Sequence, residues 1–77
     1  MTPILAAFWH RTRREFVAMT ADDLARKIDK DSHQVVREVR SLVLDGAIVA
    51  SNYREKGKTI YELPKFMQDQ VLAGVIQ

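Results

Sequence analysis

The sequence predicts one α+β domain: a three-helix core, a small antiparallel β-hairpin and one added C-terminal helix. Three observations carry that prediction. At about 100° per residue, Val35, Val36, Val39, Leu42 and Val43 fall within an arc of about 120°, so residues 32–45 read as a helix with one buried face. A shorter helical pattern stands just before it, behind Thr20. Gly46, the residue type favoured just past a helix end, then gives way to two runs of β-formers around a charged, glycine-containing turn.

Taken in order, Thr2 is expected to cap a first helix with Pro3 at its first position, where the missing N–H costs nothing. Ile4, Leu5, Phe8, Trp9 and Thr12 recur at three- and four-residue spacing and draw its buried stripe, leaving His10, Arg11, Arg13 and Arg14 largely outside it. Phe16 to Met19 reads as a short extended piece. Thr20 caps the second helix, and Asp22 and Asp23 set negative charge at the positive end of its dipole. Leu24, Ala25 and Ile28 are its inner face, and it ends near residues 29–31. Ser32 is expected to cap the third helix. Ala47 to Tyr53 is a strand, residues 54–58 a turn, and Thr59 to Leu63 the return strand. Pro64 ends that strand and opens a last helix, on which Phe66, Met67, Val71 and Val75 are expected to dock while Leu72 and Ile76 point elsewhere.

The bulk numbers set limits on function. The 77 residues are enough for one domain, near the lower limit for a self-sufficient core. Without cysteine there are no disulfides and no thiolate metal sites, which favours a reducing interior. No segment approaches the ~20 apolar residues of a membrane span. The N-terminus is apolar before it is basic, the reverse of a secretory signal, so the expected location is cytoplasmic. The formal charge of +2 is too small to indicate a nucleic-acid partner by itself. His10 and His33 stand far apart with no ligand set around them, the serines lack a paired base, and the glycines at 46, 57 and 74 form no phosphate cradle. Neither an enzyme nor a bound cofactor is expected.

Two short helices with a tight turn, the second longer and followed at once by a hairpin, form a helix-turn-helix with a wing. Residues 20–45 would be the helix-turn-helix, 47–63 the wing and 64–76 the added helix of a single domain spanning 1–77. Thr20 to Leu63 resembles the winged helix-turn-helix domains of bacterial and phage-type transcriptional regulators. Residues 20–28 are similar to their positioning helix, and residues 32–48 to their recognition helix, closing on Leu42-x-x-Asp45-Gly46-x-Ile48. Lys58 to Leu63 is similar to the strand returning from their wing. Val43 and Leu44 depart from the pattern, standing where a charged pair is usual.

The resemblance implies sequence-specific binding of double-stranded DNA in transcriptional control, and the residue types agree. A helix fits the major groove, where Gln pairs with adenine and Arg with guanine. Ser32, His33, Gln34, Arg37, Arg40 and Ser41 are the candidate groove contacts. Arg54, Lys56 and Lys58 suit phosphates or the adjacent minor groove. The free N–H groups behind Thr20 and Ser32 are further candidates for phosphate. A helix apolar nearly all round wants burial on two sides, so Leu72 and Ile76 are assigned to a homodimer interface. The alternative readings are a winged-helix protein-interaction module and a replication or recombination accessory factor.

Overall fold

A computed structural model describes residues 3–75, side chains through Gly74. Thr2 and Ile76 lie outside the described residues, as does the side chain of Val75.

The first helix, α1 (Pro3–Ala7), is shorter than its apolar spacing predicts. Trp9 does not continue it. Instead β1 (Trp9–His10) pairs antiparallel with β2 (Glu15–Phe16), placing Trp9 opposite Phe16 with ring centroids 5.0 Å apart. A cross-strand aromatic pair of this kind contributes about 0.5–1.5 kcal/mol beyond its area burial, and a further helical turn would leave Trp9 without it. The last helical carbonyl, Ala7 O, accepts from the Lys27 ammonium, which also donates to Trp9 O in β1 at 3.0 Å. The expected single extended piece at residues 16–19 is thus divided. Phe16 closes this hairpin, and β3 (Met19–Thr20) joins the second sheet.

Helix α2 (Ala21–Ile28) starts with a capping box. The Thr20 hydroxyl accepts from the Asp23 N–H, and the Asp23 carboxylate accepts from the Thr20 N–H. Asp29 closes the helix in a left-handed conformation, φ 55°. Helix α3 (Ser32–Leu44) is capped by Asp31, not by Ser32 as expected. The Asp31 carboxylate accepts from the Gln34 N–H, so Ser32 becomes the first helical residue. Val35 and Val39 are fully buried, and Val36, Leu42 and Val43 partly so, as the spacing predicts. Gly46 takes φ 82°, and the Ala47 and Ile48 N–H groups turn back onto Leu42 O.

Ala47 and Ile48 enter the core ahead of the strand they were expected to begin. The wing is β4 (Val49–Glu55) against β5 (Lys58–Glu62), with β3 on the far side of β5. Its turn is tighter than the expected five residues. Only Lys56 and Gly57 separate Glu55 from its partner Lys58, and both adopt positive φ, 52° and 78°. Two left-handed residues match the twist of the flanking strands. Between the pairs Ala50↔Tyr61 and Arg54↔Thr59 the β4 strand carries a bulge, where the Tyr53 N–H turns onto Ser51 Oγ at 3.1 Å.

Helix α4 (Lys65–Val75) buries Val71 fully and packs Met67 on the core. Phe66 does not dock with them as expected; it is 54% exposed. Val71 is the fourth residue after Met67 and about 40° from it around the helix, whereas it is the fifth after Phe66 and about 140° away. The core gathers Ile4, Leu5 and Phe8 with Leu24, Val35, Val39, Ile48, Leu63 and Val71, so every helix contributes to it, with Leu63 entering just past the return strand. Among the described residues no helix is long and apolar enough to cross a membrane.

Candidate nucleic-acid interface

The valine stripe fixes which way α3 faces. With Val35 and Val39 at the centre of the molecule, His33, Gln34, Arg37, Arg40 and Ser41 fall together on the opposite side, within about 120° of arc. All five are exposed, as is Ser32 at the helix start. No carboxylate among the described residues pairs with Arg37 or Arg40, although Glu38 lies on the flank of the face. The face is therefore convex, rigidly backed and cationic, with one amide able to donate and accept.

One further side chain shares it. Leu44 stands seven residues beyond Arg37, two helical turns along the same stripe, and is 88% exposed. The sequence shows Leu44 as a departure from the usual charged pair, but its direction follows only from where the valines pack.

The wing cations are not equivalent. Arg54 and Lys56 are exposed and carry no ion pair among the described residues, whereas Lys58 is bound to the Asp22 carboxylate of α2. This contact joins the wing tip to the helix-turn-helix across a cleft of about 170 Å³ lined by Thr20, Asp22, Asp23, Arg26, Glu55, Lys56 and Lys58. Lys58 was expected to be free for phosphate; its charge is matched instead, because β5 delivers it beside the acidic first turn of α2. Tyr53, on the bulged strand, is 78% exposed and was not among the predicted site residues. The bulge, invisible in the residue alternation, is what sets its direction.

Both helix N-termini that the sequence offers to phosphate carry carboxylates of their own. At α2 the capping box satisfies the Thr20 and Asp23 N–H groups from within, and Asp22 and Asp23 add negative charge to the first turn. Burial pushes the Asp23 carboxyl up, but hydrogen bonds from the Arg26 side chain and from the Thr20 hydroxyl and backbone, with the Arg26 charge, outweigh it and hold the group below its ordinary value. Asp31 occupies the start of α3 in the same way. Arg37, Arg40, Arg54 and Lys56 remain as the cations that α3 and the wing bring forward.

Of the two residues predicted for a dimer interface, Leu72 is half-buried on α4 and Ile76 lies outside the described residues. No group of three His, Asp or Glu side chains suited to a metal occurs among the described residues.

No protein-family model and no curated protein matches the chain. The solved structure of TubR, a type III plasmid segregation protein, matches with a TM-score of 0.74 over 92% of this chain at 21% identity. The chain spans 66% of that protein's length. At this identity the likeness speaks to architecture: helices, short antiparallel strands and wing together form a small α+β winged-helix fold.

Proposed function

We propose that this chain binds double-stranded DNA sequence-specifically, through the exposed face of α3 and the wing, and that it acts in the cytoplasm without catalysis. The observation that carries the reading is the pair Arg37 and Arg40, exposed beside Gln34 on a helix whose other face is the core. Free guanidinium and amide groups at this spacing suit the edges of guanine and adenine in a major groove. Arg54 and Lys56 supply backbone contacts from the wing. The role served is control of transcription at the bound site.

The likeness to TubR favours a second reading of the role, in which the same face holds plasmid DNA for segregation. Both roles use the same contacts and differ in where the preferred sites lie. Pairing of two copies through α4 completes the proposal, with Leu72 and Ile76 as contacts and the exposed Phe66 added to them. Two such domains on a two-fold site would set their recognition helices about one turn of DNA apart.

The experiment is a binding titration of the chain on random and genomic fragments at two salt concentrations, with sequencing of the bound pool. A defined motif retained at the higher salt supports specific binding, and its location separates promoter from segregation sites. Uniform recovery of fragments, collapsing with salt, would reduce the protein to a nonspecific binder. Sedimentation at micromolar concentration tests the pairing, which a monomer bound to a single half-site would overturn.

A further inference from the structure

The hairpin β1–β2 holds three arginines in the four residues between its strands, Arg11, Arg13 and Arg14, and the face described above uses none of them. All are exposed, yet the loop that carries them is internally fixed. The Arg14 N–H donates to His10 O at 2.8 Å, the Arg13 N–H to His10 Nδ1 at 3.1 Å, and the Val17 N–H to Phe8 O at 2.9 Å. The Trp9–Phe16 pair closes the base. Arg13 is taken by Glu15 at 3.0 Å, whereas Arg11 and Arg14 pair with no carboxylate among the described residues.

The position of this hairpin matters as much as its charge. Lys27 fastens its first strand to α2. Lys27 is the fifth residue after Asp22, about 140° around the helix, and Asp22 lines the cleft that α2 shares with Ser32 of α3 and also holds the wing. So α2 carries α3 and the wing on one flank and the arginine hairpin on the other. At the hairpin's base a cleft of about 540 Å³ is lined by Ala6, Trp9, His10, Arg11, Lys27 and Gly74, with no carboxylate among the described residues that line it.

We propose that Arg11 and Arg14 form a second phosphate-binding element, which grips the backbone of the same duplex outside the groove that α3 enters. This rests on the DNA-binding reading. When a recognition helix lies in the groove, the helix before it crosses the adjoining backbone. An element on the outer flank of that helix then overhangs the next stretch of phosphates. Guanidinium groups match phosphate oxygens bidentately, and a pre-formed turn presents them with little ordering left to do.

The test is a titration of the whole chain on its preferred duplex, and on a scrambled one, at 50 and 200 mM salt. The variants are Arg11→Gln with Arg14→Asn, since Asn tolerates the positive φ of 53° at position 14, and Arg13→Gln as the control. The double variant is expected to lower the slope of log affinity against log salt by about 1.8, roughly 0.9 per phosphate. Over that salt range the unmodified chain then loses about tenfold more affinity than the variant. Preference for the site over the scrambled duplex stays unchanged, and Arg13→Gln moves the slope less. An unchanged slope in a chain that binds duplex overturns the second contact and leaves the α3 reading standing. Loss of sequence preference in the double variant overturns its assignment to phosphates. A chain that binds no duplex overturns both. Circular dichroism melts of each variant show that the fold is intact.

Discussion

Helix α3 and the wing both present basic side chains to solvent, but they hold them differently. Arg37 and Arg40 stand on a helix whose position is dictated by Val35 and Val39, with no partner among the described residues to share their charge. On the wing, Lys56 carries no ion pair among the described residues and Lys58, two residues on, is bound to Asp22. Residue type alone would give all four the same role. What separates them is the partner that the fold brings within reach, so a cation's availability is a tertiary property. On the wing one cation already has a carboxylate beside it, so the three wing cations do not meet a ligand on equal terms.

The largest expected effect comes from removing the support beneath α3. Val39→Asp places a carboxylate at the centre of the core without a partner. It should cost about 3 kcal/mol, a large part of the ~5 kcal/mol that stabilises a domain of this size. Thermal denaturation should show loss of the cooperative transition, and a well-folded variant would mean that α3 is not seated by its valines.

A middle-sized effect is expected at the capping box that starts α2. Thr20→Ala removes the hydroxyl that accepts from the Asp23 N–H and should cost about 0.5–2 kcal/mol in denaturant melts. The lowered pKa of Asp23 adds a pH dependence whose sign is fixed. A carboxyl depressed in the folded state stabilises it fully above the ordinary aspartate range, and that contribution disappears as pH falls through the depressed value. Asp23→Asn should flatten this acid limb of stability while leaving neutral-pH melting cooperative.

The smallest effects separate the wing's two lysines. Lys56→Ala should lower the salt slope of DNA binding by about 0.9. Lys58→Ala should lower it less, since Asp22 already balances that charge. A double-mutant cycle between Asp22 and Lys58 should give no more than about 1 kcal/mol of coupling in stability, as befits a solvent-facing pair. Equal slopes for the two lysine variants would show the ion pair giving way to phosphate.

The sequence makes α3 legible because one short-range rule, apolar spacing, decides both its inner face and, by subtraction, its outer one. The Gly46 stop and the α2 cap at Thr20 are equally local. Where the expectations fail, the deciding partner is remote or the chemistry is shared. Trp9 fits a helical stripe, but Phe16 claims it for a hairpin. Asp31 and Ser32 are both good caps, and the carboxylate reaches the Gln34 N–H. Phe66 belongs to an apolar run, yet one residue's rotation carries it from the core to the surface. The contact of Lys58 with Asp22 spans 36 residues, and nothing in either neighbourhood announces it.

The most direct test of the central claim, that the exposed face of α3 reads bases, is the affinity of Arg37→Ala on the selected site and on a scrambled duplex of equal length at one salt concentration. The account predicts a loss of about 1–3 kcal/mol on the selected site, a much smaller loss on the scrambled one, and a relaxed preference at a single base pair. Equal losses on both duplexes, or none on either, would contradict it.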